Sequence, residues 1–142
     1  MKEQTYSTHT RYVFGYHVFT YLAVFALMIG SYFNLSRSAP ENLYSASLIC
    51  LISVILLLVV WYLRAFALKA QDRAIRAEEN FRYYLLTGKP LPAGLRMGQI
   101  IALRFAQDEE LPELVERALS ENLRSRQIKE AIRNWRPDYH RV

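Results

Sequence analysis

The sequence predicts an all-α fold: a transmembrane helical hairpin whose second span continues into a cytoplasmic helix, followed by a small helical lobe. Residues Leu43 to Leu63 carry no formal charge. A helix needs about 20 predominantly apolar residues to cross a bilayer. A second stretch, Tyr12 to Phe33, is also free of Asp, Glu, Lys and Arg. Good helix formers without Gly or Pro then continue from Arg64 to Thr87, so the second span should extend beyond the membrane as one rod.

These features divide the chain of 142 residues into successive segments. We assign residues 1–11 to a cytoplasmic N-terminal segment, 12–33 to transmembrane helix 1, 34–42 to an external loop, 43–63 to transmembrane helix 2, 64–88 to a juxtamembrane helix and 89–142 to a cytoplasmic helical lobe. The first span is long for a signal-peptide core, lacks a convincing small-x-small cleavage site and is soon followed by another span, so we expect it to be retained. The loop is short and contains Pro40, which favours an antiparallel hairpin.

Basic residues predict the orientation of both spans, since they are enriched on the cytoplasmic side of membrane proteins. The loop holds Arg37 alone among basic residues, whereas Lys2 and Arg11 precede the first span. Several more follow the second span: Arg64, Lys69, Arg73, Arg76 and Arg82. Both termini are therefore expected in the cytoplasm.

The net charge of +5 is concentrated just after the second span. Cations at this depth are attracted to anionic lipid headgroups. We therefore expect membrane lipids to be partners, with headgroup contacts from Arg64, Lys69, Arg73 and Arg76. From Met97 onward the charges of both signs balance, which argues against a nucleic-acid-binding face on the lobe.

The juxtamembrane helix carries a stripe of small and aromatic residues spaced four and three apart. We call it the seam, and it comprises Ala70, Ala74, Ala77, Phe81 and Tyr84. Such spacing suits pairing with another helix. Two interpretations stay open: a stalk that makes a homo-oligomer, or packing of this helix on the chain's own lobe. Pairs at i,i+4, Asp72 with Arg76 and Glu78 with Arg82, are expected on the wetter side.

Residues Lys89 to Gly94 form the clearest linker, and three helical segments are predicted after it. The first is Leu95 to Ala106. The second is expected to be capped by Asp108, with Pro112 tolerated in its first turn. The third is expected to be capped by Ser125 and stopped by Pro137, with Trp135 on its apolar face. The second helix is acidic and the third is basic, so they should attract each other within one lobe or between copies.

Within the spans, small and polar residues are candidates for helix packing. Ala26 and Gly30 offer a small-residue groove for close approach of a second helix. Hydroxyls, namely Thr20, Ser31, Ser45, Ser47 and Ser53, are expected to bond across the hairpin or to their own carbonyls. His17 lies near a span boundary, where snorkelling or a hydrogen bond to the neighbouring span is expected rather than proton relay.

Several phrases of the sequence are characteristic. They include Gln4-x-Tyr6-x-x-His9-x-Arg11-Tyr12, the run from Phe66 to Glu79, Gln99 to Ala106 with Asp108 to Pro112, and Ile128 to Asp138 running to Val142. Over nearly the whole chain, these phrases resemble a family of small bacterial two-span membrane proteins catalogued as a domain of unknown function. The resemblance implies a multi-pass protein of the bacterial inner membrane with a cytoplasmic tail, and it implies no activity.

The residues give little support to catalysis. His9, His17 and His140 have no partner at metal-ligand spacing, and the sequence has no G-x-S-x-G, H-E-x-x-H or P-loop motif. Cys50 is interpreted as structural. We therefore assign no catalytic residue, no metal and no cofactor.

The predicted function is accordingly a non-enzymatic integral membrane scaffold. It would present its helical lobe for self-association or for binding a protein partner that the sequence does not identify. One alternative is a pore or transport element, which would need several hairpins to enclose a path. Another is a membrane-tethered nucleic-acid binder that uses the basic stretch Ser125 to Arg136.

Overall fold

In the computed structural model, residues 12–138 are described and they form an all-α protein, as predicted. The helical elements are a π-helical stretch Gly15–Thr20, α1 (Tyr21–Ser36), a 3-10 turn Pro40–Asn42, α2 (Leu43–Thr87), α3 (Met97–Leu103), α4 (Leu111–Ser120) and α5 (Ser125–Ala131). The chain divides into two compact units, residues 12–67 and a second unit described from Leu68 to Asp138. The predicted N-terminal segment 1–11 lies outside the described residues.

Helix α2 is uninterrupted from Leu43 to Thr87, so the residues predicted as a span and a juxtamembrane helix form one rod. It ends at Gly88, whose φ of 70° lies in the left-handed region that glycine adopts without steric cost. The Gly88 N–H donates to the Tyr84 carbonyl at 2.8 Å, which satisfies one of the last carbonyls of the helix. Pro90 follows and prevents continuation, as the sequence indicated.

In the first unit, hydrogen bonds join α2 to the helical segment before the loop. Ser31 Oγ lies 3.1 Å from Ser53 Oγ, and both serines are buried. The Tyr16 hydroxyl donates to the Val60 carbonyl at 2.7 Å. Helix α1 extends to Ser36, so the connecting loop starts later than the predicted residue 34.

Ala26 and Gly30 do not lie between these two helices, so their role in the close approach of another helix stays a prediction. Both are exposed, and a Cβ added at Gly30 would meet no atom within 4 Å. Val24 and Ala46 are buried in this unit instead, together with the serine pair. The reason is rotational: Ala26 and Gly30 lie on a face of α1 away from the one that carries Val24 and Ser31.

In the second unit, α3 is central and packs against both α4 and α5. The hydrophobic core of this unit consists of Ile75, Tyr83, Leu95, Ile100, Ala102, Leu103, Ala106, Leu111, Leu114, Val115, Ala118, Leu123 and Ile128. Helix α3 is shorter than the predicted Leu95 to Ala106, because Leu95 is tied to the Pro92 carbonyl and Ala106 to an antiparallel bridge with Trp135.

The two predicted caps are wrong. The residue before α4 is Glu110, and Asp108 instead accepts a hydrogen bond from Arg82 Nε at 2.6 Å. Ser125 is the first residue of α5 rather than its cap, and its hydroxyl donates to the Gly98 carbonyl at 2.7 Å. In both cases the side chain forms a hydrogen bond with a residue distant in sequence instead of capping the helix that follows it.

Helix α5 also ends earlier than predicted, at Ala131 rather than before Pro137. The chain then becomes extended, and the Arg136 N–H donates to the Phe105 carbonyl at 2.7 Å. Trp135 therefore lies outside the helix, with its ring stacked on Phe105 at a centroid distance of 4.5 Å. The basic stretch Ser125 to Arg136 is thus helical only as far as Ala131, and the nucleic-acid alternative stays a prediction.

The predicted attraction between the acidic and basic helices takes another form. Arg117 pairs with Glu121 inside α4, and Arg126 pairs with Glu130 inside α5. Glu110 instead accepts two backbone hydrogen bonds, from Arg133 N at 3.0 Å and Asn134 N at 2.8 Å. A carboxylate at the start of α4 thus anchors the segment after α5 through its backbone.

Gln99 ties three parts of the lobe together and supplies a test of the core. Its amide Nε2 donates to the carbonyls of Ala118 and Leu123, each at 3.0 Å, and its Oε1 accepts from Arg96 N at 2.8 Å. Gln99→Leu should lower the free energy of unfolding by about 2 kcal/mol, because buried polar groups lose their partners. Urea titration of the detergent-solubilised protein would measure this change.

Gln127→Leu is the matched control. Gln127 has the same position in α5, where its Oε1 accepts from Arg124 N at 2.8 Å, but its side chain is exposed. Water replaces the lost partner there, so the expected loss is below about 1 kcal/mol. Equal losses for the two variants would contradict the bridging role of Gln99.

Candidate functional site

The juxtamembrane part of α2 has two different faces. Ile75, Glu79 and Tyr83 are buried and belong to the face that packs on the lobe. All five seam residues, Ala70, Ala74, Ala77, Phe81 and Tyr84, are exposed. Helix α2 therefore packs on the chain's own lobe, as one of the two interpretations expected, but it does so through the buried face. The seam residues stay exposed, with Ala74 at the edge of a groove that lobe residues also line.

An ion-pair network joins α2 to the lobe through Arg82, with Glu79 buried and Asp108 exposed at its outer edge. Arg82 Nη1 donates to Glu79 Oε2 at 3.0 Å, its Nη2 donates to the Ala106 carbonyl at 2.7 Å, and its Nε donates to Asp108. The side chains of Arg82 and Glu79 are 12% and 9% exposed. The expected Glu78–Arg82 pair is thus replaced by Glu79 and Asp108, since Arg82 points into the lobe.

Beside this network lies a groove of about 610 Å³. We call it the Arg104 groove, and it is lined by Gln71, Ala74, Ile75, Glu78, Glu79, Arg104, Arg136, Pro137 and Asp138. Its walls combine guanidinium and carboxylate groups, and Arg136 Nη1 lies 3.8 Å from Glu79 Oε1. A groove of this composition can bind polar or charged groups of a partner.

Arg104 is the most unusual side chain of this groove because it is a buried cation. Its side chain is 8% exposed, and its guanidinium carbon lies 4.6 Å from the centre of the Phe105 ring. Nη1 is 3.2 Å from Asp138 Oδ2, but neither Nη1 nor Nε makes a hydrogen bond to any residue between 12 and 138. Burial lowers the pKa of Arg104, and the Asp138 and Glu79 carboxylates oppose that shift.

Sequence reasoning missed the Arg104 groove and its buried cation. Arg104 stands inside the apolar run Ile100 to Ala106, and a lone cation in such a run signals a buried charge that needs a partner. Asp138 lies far along the chain and outside any helix, so no periodic pattern connects it with Arg104. That pairing depends on the return of the chain along Phe105 after α5.

The residues predicted to contact lipid headgroups lie along α2. Lys69, Arg73 and Arg76 are exposed, and Arg64 is half-buried. Their exposure leaves them available to a membrane surface, and the headgroup contacts themselves stay a prediction.

Most of the span hydroxyls, and the His17 ring, contact backbone carbonyls close to them in sequence. Thr20, Ser45 and Ser47 donate to carbonyls of their own helical segments at 3.1, 2.9 and 2.7 Å. His17 Nδ1 lies 2.9 Å from the Val13 carbonyl rather than at the neighbouring helix. Within residues 12–138, no group of three or more His, Cys, Asp or Glu side chains is arranged to hold a metal ion. His9 and His140 lie outside the described residues.

Two helical stretches are long and apolar enough to cross a membrane. They are Gly15–Ser36, with a mean hydropathy of 1.7, and Pro40–Thr87, with a mean hydropathy of 2.8 in its most apolar part. Together with the compact lobe, they define an all-α protein with two candidate spans and a polar helical domain.

The chain belongs to a family of unknown function, DUF6526, whose family model matches residues 1–142. The predicted resemblance to a family of unknown function is confirmed over the whole sequence. No curated protein and no solved structure matches the chain.

Proposed function

We propose that this protein is a non-enzymatic scaffold of the bacterial inner membrane, anchored by two spans and presenting its lobe in the cytoplasm for self-association or for a partner protein. One observation carries the membrane assignment. In the most apolar 18-residue stretch of each candidate span, only 11% and 17% of the stretch is buried, respectively. The core helix of a soluble protein would bury most of such a stretch.

The exposed side chains of these helices are large and apolar. Phe25, Leu51, Ile52 and Leu58 are all about half exposed, between 49% and 54%. A continuous apolar surface of this kind is costly in water, at about 25 cal/mol per Å², and marks a surface that lipid or protein covers. Lipid would cover the exposed apolar side chains of both helices at once.

Basic residues support the proposed orientation. Lys69, Arg73 and Arg76 follow the apolar part of α2 and are exposed, whereas Arg37 is the basic residue of the loop between the spans. Because basic residues are enriched on the cytoplasmic side of membrane proteins, this distribution favours a lobe in the cytoplasm.

The Arg104 groove supports binding rather than covalent chemistry. Among residues 12–138, its lining includes no Ser, Cys or His, and Glu79 is held by Arg82 and lies near Arg136. Charged side chains that already hold one another in a groove are suited to recognise polar groups on a partner surface.

Membrane extraction and cysteine labelling test this proposal. In a Cys50→Ser background, Ala39→Cys reports on the loop and Ala93→Cys reports on the linker before α3, and both alanines are exposed. A membrane-impermeant maleimide should label the first variant in intact cells and the second only after permeabilisation. The protein should also stay in the membrane pellet in alkaline carbonate.

Ala39→Cys and Ala93→Cys serve as controls for each other, because maleimide labelling of the same substitution is compared at positions expected on opposite sides of the membrane. Release of the protein by carbonate would contradict membrane insertion. Labelling of Ala93→Cys in intact cells would contradict the cytoplasmic position of the lobe.

A further inference from the structure

The seam is a face of α2 whose five side chains are exposed among the described residues 12–138. Phe81 is 62% exposed and Tyr84 is 52% exposed, although both are aromatic and apolar over most of their surface. Successive residues of a helix turn by about 100°, so the seam lies on the side of α2 opposite Ile75, Glu79 and Tyr83. The lobe borders the seam at Ala74, which also lines the Arg104 groove, and a second helix can contact the exposed side of the seam.

We propose that a second copy of this chain covers the seam, so that residues 70–84 of two protomers form a parallel, in-register coiled coil. This inference rests on the proposed function, because two copies inserted in one membrane with the same orientation place their α2 helices parallel. The seam spacing of four and three corresponds to the a and d positions of a heptad, with Ala74 and Phe81 at a and Ala70, Ala77 and Tyr84 at d.

Charge complementarity favours a second copy over an unrelated occupant. In this register Arg73 is a g residue and Glu78 is an e residue, on opposite flanks of the seam. In a parallel pair, the g residue of one helix faces the e residue five positions later in the other. Arg73 of each protomer would therefore meet Glu78 of the other, giving two symmetric ion pairs.

Glu78 lies at the edge of the Arg104 groove and is exposed, so it can also reach a second helix on the seam side. Although it was expected to pair with Arg82, that arginine is held by Glu79, Asp108 and the Ala106 carbonyl. Within residues 12–138, Glu78 forms no salt bridge, and Arg73 and Glu78 are both exposed. An antiparallel pair would not bring these two charges together at the same register.

The sizes of the seam residues fit the same geometry. Ala70, Ala74 and Ala77 come first after the apolar part of α2, and small residues let two helix backbones approach closely. Phe81 and Tyr84 follow towards the end of the helix at Thr87 and would fill a wider separation there.

Disulfide formation in native membranes tests the register. In a Cys50→Ser background, Ala74→Cys and Ala77→Cys should each form an intermolecular disulfide under mild oxidation, because facing a and d residues come within disulfide range. Arg76→Cys, exposed on another face of the same helix, and Ala93→Cys, exposed in the linker, should react at least roughly tenfold more slowly. Equal rates at all four positions, or no disulfide at Ala74 and Ala77, would overturn the proposal.

Charge reversal tests the partner. Introduced with Ala74→Cys, Arg73→Glu or Glu78→Arg alone should slow disulfide formation by roughly tenfold, because each places like charges together on both sides of the pair. The double variant Arg73→Glu/Glu78→Arg should restore the original rate. Failure of the double variant to restore it would overturn the parallel homodimer, since an unrelated partner or an antiparallel pair has no reason to show this reciprocity.

Every variant is also extracted with alkaline carbonate, so that the two proposals fail separately. Release from the membrane would overturn the membrane scaffold whatever the disulfide pattern. Retention in the membrane without preferential disulfides at Ala74 and Ala77 would overturn the dimer alone.

Discussion

Replacing Phe105 with alanine should lower the free energy of unfolding of the lobe by about 3–5 kcal/mol. Phe105 is fully buried, and its ring stacks on Trp135. The guanidinium carbon of Arg104 lies 4.6 Å from its ring centre and Lys129 Nζ lies 5.6 Å from it. Alanine would leave a cavity and would also remove the surface on which a buried cation rests.

Urea titration in detergent micelles would measure this effect through Trp135 fluorescence. The chain has two tryptophans, so a Trp61→Phe background leaves Trp135 as the single reporter. If Phe105→Ala abolishes the transition altogether, Phe105→Leu gives the measurable value, with an expected loss of about 1–2 kcal/mol.

Phe66→Ala is the matched control for this prediction. It is the same substitution at a side chain that is 61% exposed on α2. The urea midpoint of the lobe should not change. A change comparable to that of Phe105→Leu would contradict the claim that burial of Phe105 stabilises the lobe.

Replacing Arg82 with alanine should cost about 3 kcal/mol of unfolding free energy. The substitution removes hydrogen bonds to Glu79, Asp108 and the Ala106 carbonyl. It also leaves the Glu79 carboxylate, 9% exposed, without its closest cation. Most of the loss comes from that buried and uncompensated charge rather than from the pair itself.

A double-mutant cycle separates these two contributions. Glu79→Ala with Arg82→Ala should cost less than the sum of the single variants, because neither charge is then left buried alone. Arg117→Ala is the surface control, since the pair of Arg117 and Glu121 is 43% and 49% exposed and solvent screens it. An equally large loss in Arg117→Ala, or strict additivity in the cycle, would contradict the buried network.

Local residue patterns were sufficient for the long helices. The charge-free run from Leu43 and the absence of Gly or Pro up to Thr87 predicted one helix, and Gly88 ends it. Pro112 lies in the first turn of α4, as expected. Such features depend on residues close together in the chain, so propensity and periodicity report them directly.

Short helices and side-chain partners were predicted less well, because distant residues compete for the same groups. Asp108 and Ser125 are good caps by local rules, but Arg82 and the Gly98 carbonyl bind them. The segment from Ile132 to Pro137 has a helical sequence pattern but is not helical, and its Trp135 ring stacks on Phe105 instead. When a tertiary contact contributes more free energy than one further turn of helix, the contact overrides the local helical preference.

By itself the sequence determined the class of this protein: two long apolar helices, a continuous rod and a polar helical lobe. It also identified the seam, since a spacing of four and three is visible without coordinates. Tertiary structure decided which face of α2 the lobe covers and which it leaves exposed. It also brought Arg104, Arg136 and Asp138 into one groove. The physical reason is that periodicity shows which residues share a face, whereas only packing between distant segments selects the partner of that face.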